Sequence, residues 1–495
     1  MEFLNMVVSK MDSKSIFLLI SVILMTRWLF RRPWKLPPGP YGWPILGYIP
    51  RIMYAWYKGD KIHEVLQRLG QKHGKIMSVN IFGTPCIVLN DATLIREAFQ
   101  IPALCDKGFN NSLQVKLTGR CLMEHSTFKQ YRTFCASTLR FFGVGKSKFE
   151  EHVGNEIQHL VKQLNKHNRH PIDPTELLFF TNANVTCPVL FGTRFDYDDE
   201  KARELLSINW AAMQLLGQGA YEIFLPFTVP TNANKTLRSA SKILFDFIDK
   251  QHDEHQKAFD ADDLSDYTHV YLNEINQKSS DSLNSHLHKD NIQGMLYFLF
   301  MAGADPTTAW VHWALVYLAA YPEVQRRVHK ELDTVVGRDR IPKMSDQPSL
   351  PYLKAVIHEI QRIVTMVPIG HLHSASADVQ FHGYTIPKGS CVIANLWYVH
   401  HDPEVWADPE QFKPERFLNS KGEFVARDGW IPFGTGRRIC LGESLAKIGN
   451  YLFLTHLLHY FTFTKPRDQS TFDFKGSPGL IRSPTGQKIV FIERG

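Results

Sequence analysis

The 495-residue chain has a formal net charge of +7 at pH 7, with 44% apolar and 21% charged residues. This is the composition of a globular protein with a large core, and it excludes a disordered or collagen-like chain. The positive charges are spread along the chain, so a nucleic-acid partner is not expected. The seven cysteines are odd in number and form no CxxC pair, which argues against a disulfide framework or a zinc site.

The first predicted element is an N-terminal membrane anchor. Residues 16–30 read IFLLISVILMTRWLF, an apolar run shorter than the roughly 20 residues that span a bilayer comfortably. Arg31 and Arg32 follow it, and the positive-inside tendency places the large C-terminal body in the cytosol. A cleaved signal peptide is the alternative, but no small-residue cleavage site follows the run. We expect residues 1–35 to form a single anchor with a basic flank, in contact with membrane lipid, and the prolines of residues 36–40 to turn the chain away.

The body of the chain has a mostly helical pattern with a few short β-like runs. Residues 76–81 and 84–89 are rich in apolar side chains and predict two strands. Helical periodicity follows to about residue 370, residues 379–389 predict a small hairpin, and residues 444–460 predict a further apolar helix. The sequence therefore predicts a mainly α fold with a minor β region.

The longest predicted helix, residues 292–320, is apolar on almost every side. A polar stretch at residues 260–290 precedes it and predicts an exposed loop with one amphipathic segment. A helix that is apolar all round lies in a core or in a membrane. Gly303, Asp305 and Pro306 make the membrane alternative less favoured, so we expect a central core helix.

Residues 433–442, FGTGRRICLG, surround one cysteine with features that suit an iron-binding thiolate. Such a thiolate lies near an apolar haem face and needs nearby amides and dipoles to stabilise its charge. Glycines on either side of Cys440 let the backbone come close, Phe433 offers a ring beside the sulfur, and Arg438 can pair with a haem propionate. The alternative is a buried core cysteine, the common fate of an isolated one.

The same ten residues meet the haem-binding pattern FxxGxRxCxG at every position, and here the chain resembles the cytochrome P450 family. Glu359 and Arg362 match the family's ExxR pair, and residues 414–417, PERF, match the segment whose arginine would share the carboxylate in a buried ion network. The resemblance is closest to the microsomal animal branch. It implies the cytochrome P450 fold in a single haem domain at residues 36–495, haem b with Cys440 as axial ligand, and an endoplasmic reticulum location with the body facing the cytosol.

Further site residues are carried over from this resemblance. It implies that Arg132, His373 and Arg438 contact the haem propionates, with a surface histidine as the alternative for His373. Phe128 stands where the family has a tryptophan that reaches a propionate, so one hydrogen bond is lost. Alignment with the family also implies an apolar pocket above the iron for a lipophilic substrate. Its predicted lining residues are Phe109, Phe300, Ala304, Val367, His371 and Leu480.

Pro306 is the departure from the family pattern that bears most on function. The family has a threonine here, whose hydroxyl organises the water chain that delivers protons during cleavage of dioxygen. Asp305 fills the neighbouring acid position, but Pro306 has neither a hydroxyl nor an N–H and displaces the helical bond to the carbonyl of Ala302. Thr307 and Thr308 are no easy substitutes, because each helical residue is rotated by about 100 degrees from the last.

This departure predicts a reaction that needs no dioxygen. The main prediction is cleavage and rearrangement of fatty-acid hydroperoxides to epoxyalcohol, allene oxide or lyase products without O2 or NADPH, with Asp305 orienting the hydroperoxide or accepting its proton. The cysteine loop lacks the extra residues of plant hydroperoxide enzymes, so this prediction rests on the helix site alone. The alternative is monooxygenation of a lipophilic substrate that depends on NADPH-cytochrome P450 reductase. A non-catalytic haem or ligand carrier is a third class.

Overall fold

The computed structural model of the chain describes residues 21–22, 35–43, 45–106, 128–143, 147–218, 232–278, 289–477, 481–484 and 486–495. The anchor predicted at residues 16–30 lies almost entirely outside these ranges. Within the described ranges, no helix is both long and apolar enough to cross a membrane.

Helices dominate the described chain, as the sequence predicts. In chain order they are α1 (Ile49–Tyr57), α2 (Ile62–His73), α3 (Ala92–Ala98), α4 (Phe128–Gly143), α5 (Ser147–Asn165), α6 (Thr175–Phe191), α7 (Glu200–Gln218), α8 (Asn232–Lys257), α9 (Tyr267–Lys278), α10 (Lys289–Ala320), α11 (Pro322–Val335), α12 (Pro351–Val364), α13 (Leu396–His401) and α14 (Glu443–Tyr460). Short 3-10 helices lie at Pro102–Leu104, Met344–Ser349, Pro414–Phe417 and Gly436–Arg438.

Among the described residues the β region is small and is divided among three sheets. Its strands are β1 (Ile76–Ile81), β2 (Thr84–Leu89), β3 (His373–Ser374), β4 (Val379–Phe381), β5 (Tyr384–Ile386), β6 (Cys391–Ala394), β7 (Phe461–Thr464) and β8 (Val490–Glu493). The largest sheet has the order β1-β2-β6-β3, with β2 and β6 parallel and the other neighbours antiparallel. The pairs β4-β5 and β7-β8 are both antiparallel, and β4 and β5 form a hairpin.

The two predicted strands at residues 76–81 and 84–89 are confirmed at both ends. Phe82 and Gly83 connect them, and both have positive φ angles, 49° and 81°. Positive φ at both central residues is the geometry of a tight hairpin turn that suits twisted strands. The predicted mainly α fold with a minor β region is therefore confirmed.

Helix α10 is the central core helix that the sequence predicts. It packs along α6, where Gly303 allows the side chain of Thr186 to approach, since an added Cβ would lie 3.1 Å from it. Trp310 and Trp313 are fully buried in the main apolar cluster. The helix continues without a break through Pro306. Apolar side chains around its whole girth explain why packing outweighs the roughly 3 kcal/mol that an interior proline costs.

Candidate active site

The cysteine loop is a tight turn held by backbone hydrogen bonds. The N–H of Cys440 donates to the carbonyl of Phe433 over 2.9 Å, and the N–H of Ile439 donates to the carbonyl of Gly436 over 3.2 Å. The loop ends at Gly442, the N-cap of α14, whose N–H donates to the sulfur of Cys440. The sulfur therefore lies at the positive end of an 18-residue helix, where a thiolate is stabilised.

Phe99 holds this loop against the sheet. Its carbonyl accepts a hydrogen bond from the N–H of Arg437 over 3.1 Å. A Cβ at Gly436 would lie 2.5 Å from the same carbonyl, and the φ angle of this glycine is +71°. The ring of Phe99 stacks on His373 with 4.1 Å between centroids and 4° between planes. A residue with no motif of its own thus connects the cysteine loop to a predicted propionate partner.

Cys440 differs from the other described cysteines in being accessible. The buried ones are Cys86, Cys105, Cys135, Cys187 and Cys391. Protein atoms still crowd part of the Cys440 thiol, and this burial raises its pKa, while the N–H of Gly442 and the charge of Arg132 act in the opposite direction. Without a metal the surroundings thus favour the thiol, and a metal that replaces the proton would be bound beside the amide and the guanidinium that favour the thiolate. An accessible sulfur beside amides and a cation fits the axial ligand of a haem.

Two predicted propionate partners lie beside this loop. Arg132 donates a hydrogen bond to the carbonyl of Ile439, next to the cysteine. Arg438 donates through Nε to the carbonyl of Cys105 over 2.8 Å. Burial lowers the pKa of Arg438 to about 10, and the charge of Arg132 contributes to this decrease. Two guanidinium groups close enough to repel each other, both partly buried, form a fitting site for carboxylates.

The predicted acid Asp305 lies in the stretch of α10 from Ala302 to Pro306, which we call the groove region. Its side chain is 3% exposed, and no described residue donates a hydrogen bond to its carboxylate. Burial raises the pKa of Asp305 to about 7. Pro306 is half-buried, and Ala302, one turn earlier, is exposed. An exposed alanine in an otherwise buried stretch shows that this face of α10 borders open space.

The hydroxyl groups of the two threonines after Pro306 donate hydrogen bonds to the helix backbone. The hydroxyl of Thr307 donates to the carbonyl of Gly303 over 3.1 Å, and that of Thr308 donates to the carbonyl of Ala304 over 2.8 Å. Asn182 on α6 donates to the hydroxyl of Thr308 over 3.1 Å. Neither hydroxyl replaces the one that Pro306 lacks, as the helical rotation predicts.

The predicted pocket residues lie in different surroundings. Phe300 and Ala304 are 1% and 0% exposed and pack in a core cluster with α6 and α8, so they would reach a ligand only after neighbouring side chains move. Val367 is half-buried and His371 is exposed, both in the loop after α12. Phe109 and Leu480 lie outside the described residues, as does the side chain of Phe128. The exposure of Ala302 was not predicted, and the contact of Phe99 with the cysteine loop was not predicted because Phe99 belongs to no signature.

A buried ion network is connected to the segment that precedes the cysteine loop. Arg362 donates to both carboxylate oxygens of Glu359, each over 2.8 Å, and both side chains are fully buried. Arg416 donates to Glu359 over 3.2 Å, so the predicted three-residue network is confirmed. Arg362 also donates to the carbonyl of His400 over 2.7 Å. The ring of His400 accepts a hydrogen bond from the N–H of Ile431 over 3.1 Å, which connects the network to the segment just before the loop.

The comparisons with known proteins agree with this geometry. The family model described as cytochrome P450 matches residues 37–491. Cytochrome P450 2U1 of Bos taurus is 32% identical over 97% of this chain and 93% of its own length. Cytochrome P450 2J5 of Mus musculus is 34% identical over 94% of this chain and 92% of its own length, and cytochrome P450 2J2 of Homo sapiens is 31% identical over 93% and 92%.

These relatives correct the predicted reaction. The similarity to cytochromes P450 2U1, 2J5, 2J1 and 2J2 favours a monooxygenase. The prediction that this chain mainly rearranges fatty-acid hydroperoxides is therefore wrong. The physical argument for that prediction considered only the missing hydroxyl group. Pro306 removes this hydroxyl but leaves a continuous helix and a buried acid beside it. The predicted haem, with a cysteine as axial ligand, is confirmed by the family match. The chain belongs to the cytochrome P450 family.

Proposed function

We propose that this protein is a membrane-bound monooxygenase that depends on NADPH-cytochrome P450 reductase and hydroxylates a lipophilic substrate, such as a fatty acid, a steroid or a foreign compound. One observation carries the proposal. The accessible Cys440 lies at the start of α14 in a chain that is similar along more than nine-tenths of its length to cytochromes P450 2U1 and 2J5. A haem bound there supplies the activation of dioxygen.

The residues around the cysteine loop have separate roles in this proposal. Cys440 is the axial ligand. Phe433 lies in the same loop, and Lys447 of α14 lies 5.7 Å from the centre of the phenylalanine ring. Arg132, His373 and Arg438 are proposed to hold the propionates. The guanidinium groups supply charge-assisted hydrogen bonds, and the stack on Phe99 fixes the histidine ring.

Asp305 is proposed as the proton source on the distal side. With Pro306 unable to donate a hydrogen bond and both following threonines bonded to the backbone, Asp305 is the polar side chain left at this point of α10. Burial raises its pKa to about 7, so near neutral pH the carboxyl group is protonated in a substantial fraction of molecules. A donor whose pKa is close to the working pH is well matched to general acid catalysis.

The surroundings of the groove favour an apolar substrate. Ala302 is exposed beside Asp305, and Val367 is half-buried in the loop after α12. His371 in the same loop is exposed and is proposed to offer a polar contact to one end of the substrate. The predicted lining roles of Phe300, Ala304, Phe109 and Leu480 stay part of this proposal.

An exposed apolar surface near the N-terminus supports contact with membrane lipid. We call it the N-terminal apolar surface; its residues are Tyr41, Trp43, Ile45, Leu46, Met53, Tyr54, Trp56 and Tyr57. Exposed aromatic side chains this close together along the chain suit the interface between lipid and water. We therefore propose residues 1–35 as a single anchor in the endoplasmic reticulum membrane and residues 36–495 as one haem domain facing the cytosol, in agreement with the extent of the family match.

The test compares two sources of oxygen. The purified full chain in lipid vesicles receives NADPH, the reductase and a panel of fatty acids and steroids under 18O-labelled dioxygen. A second arm supplies a fatty-acid hydroperoxide without NADPH or reductase, and Cys440→Ser serves as the inactive control. We expect labelled hydroxylated products in the first arm only. Rapid turnover confined to the second arm, or products without the label, would overturn the proposal.

A further inference from the structure

A cluster of three metal-binding side chains lies outside the haem site, where α8 ends and α9 begins. His255 Nε2 lies 2.9 Å from Asp266 Oδ2, and His269 Nδ1 lies 2.9 Å from the same oxygen. The three residues are 8%, 1% and 9% exposed. Their ligand atoms all lie within 4.8 Å of one another, and among the described residues no other group of three has this property.

Each member of this cluster has a partner behind it. Nδ1 of His255 is 2.7 Å from the carbonyl of Gln251, which leaves Nε2 facing the cluster. The other carboxylate oxygen of Asp266 accepts the backbone N–H of His269 over 2.9 Å. The remaining ring nitrogen of His269 lies 3.5 Å from the carboxylate of Asp263. Histidines that bind metals commonly donate their second N–H to a carbonyl or a carboxylate in this way.

The hydrogen-bond geometry of His255 leaves two acceptor atoms facing each other inside the cluster. A carbonyl oxygen only accepts hydrogen bonds, so Nδ1 must carry a proton. In a neutral ring, Nε2 is then an acceptor, and it would face a carboxylate oxygen, also an acceptor, at 2.9 Å. A cation or a second proton has to lie between the two atoms.

We propose that His255, Asp266 and His269 bind one Zn²⁺ ion, with water as the fourth ligand. Two imidazole nitrogens and one carboxylate oxygen form a donor set that zinc accepts, at bond lengths of about 2.0–2.2 Å. Tetrahedral bonds of that length place ligand atoms about 3.3 Å apart, so the 2.9 Å contacts need to widen by only a few tenths of an ångström. The carboxylates of Asp266 and Asp263 balance the charge of the ion.

The ion would connect the end of α8 to the start of α9, beside the end of α6. His255 lies near the end of α8, whereas Asp266 and His269 flank the start of α9. Gly192 ends α6 with a φ angle of +64°, and a Cβ at this position would lie 2.8 Å from Asp266 Oδ2. The end of α6 is thus packed directly against the ligand oxygen. This function is independent of the proposed monooxygenation.

The test measures zinc against haem iron in the untagged full-length holoprotein. After equilibration with Zn²⁺ and dialysis, elemental analysis should give about one zinc per haem iron in the wild type. His269→Gln removes a proposed ligand and should weaken zinc binding by at least about 10–100-fold. That is the loss seen when a group that only hydrogen-bonds to a metal ligand is removed. His382→Gln is the matched control, because it removes an exposed histidine that lies 2.6 Å from Glu97 and should leave zinc binding unchanged.

Two results would overturn the proposal. The first is a wild type that keeps no zinc after dialysis. A second proton, and not a metal ion, would then lie between His255 and Asp266. The second is equal zinc binding by the wild type and His269→Gln. If that variant fails to retain haem, zinc X-ray absorption of the wild type decides. Two imidazole donors support the site, and a first shell without imidazole rejects it.

Discussion

The rings of Phe99 and His373 are stacked almost in parallel, 4.1 Å apart, directly beside the loop that carries Cys440. The same phenylalanine accepts a hydrogen bond from the N–H of Arg437 through its carbonyl. One residue therefore sets the distance between the cysteine loop and the strand β3. The cysteine signature covers the residues of the loop. The position of the loop also depends on its contact with Phe99, which lies outside the signature.

Gly436→Ala should abolish stable haem retention. The φ angle of +71° strains any residue with a side chain, and the new Cβ would meet the carbonyl of Phe99 at 2.5 Å. Gly434→Ala is the matched control, because its φ angle is +72° but a Cβ there meets nothing within 4 Å. We expect the control to lose about 1–2 kcal/mol and to keep haem. Haem content per chain and thermal unfolding measure both effects; equal haem retention would show that the Phe99 contact is unimportant.

The sequence predicts local features of this protein well and distant contacts poorly. The strands at residues 76–81 and 84–89, and the long apolar helix, follow from patterns within a few residues. The pairing of Glu359 with Arg362 follows from helical spacing. Phe99 and Asn182 carry no local signal, because their partners lie far away along the chain. Pro306 shows which hydroxyl is missing, but its sequence position alone does not show what the surrounding groove supplies.

Glu359→Gln should strongly destabilise the fold. The substitution leaves Arg362 fully buried with its carboxylate partner neutralised, and Arg416 loses the same charge. Breaking a buried pair in this way costs about 3–5 kcal/mol. Asp60→Asn removes the carboxylate of an exposed pair with Arg68 and should cost less than about 1 kcal/mol. Urea unfolding of both variants gives the comparison, and similar losses would contradict a structural role for the buried network.

Asp305→Asn should become more stable than the wild type as the pH rises. Burial raises the pKa of Asp305 from 3.8 to about 7, so the folded state binds this proton more tightly than the unfolded state. The resulting stabilisation is present below the unfolded pKa and is lost as the pH rises through about 7. The free energies of unfolding of wild type and variant should therefore diverge between about pH 4 and 7, by at most roughly 4 kcal/mol, and the difference should stay constant above that range. Urea unfolding across this range tests the sign, and a pH-independent difference would contradict it.

The same variant tests the proposed proton source. If Asp305 donates a proton during turnover, the wild-type rate should fall as the pH rises through about 7. The rate of Asp305→Asn should be lower and independent of pH in this range, because its amide does not titrate. Steady-state hydroxylation with saturating reductase provides the profile. A variant that keeps the wild-type pH dependence would assign the proton to another group.

Pro306→Thr should improve both the helix and the use of NADPH. The threonine restores an N–H that can bond to the carbonyl of Ala302 and removes a ring from the interior of α10, which is worth up to about 3 kcal/mol. It also places a hydroxyl beside Asp305, so a larger share of NADPH should end in hydroxylated product. Pro306→Ala is the matched control, since it restores the N–H without the hydroxyl. We expect both variants to gain thermal stability and only Pro306→Thr to raise the ratio of product to NADPH. An equal ratio in the two variants would mean that the backbone, and not the hydroxyl, limits proton delivery.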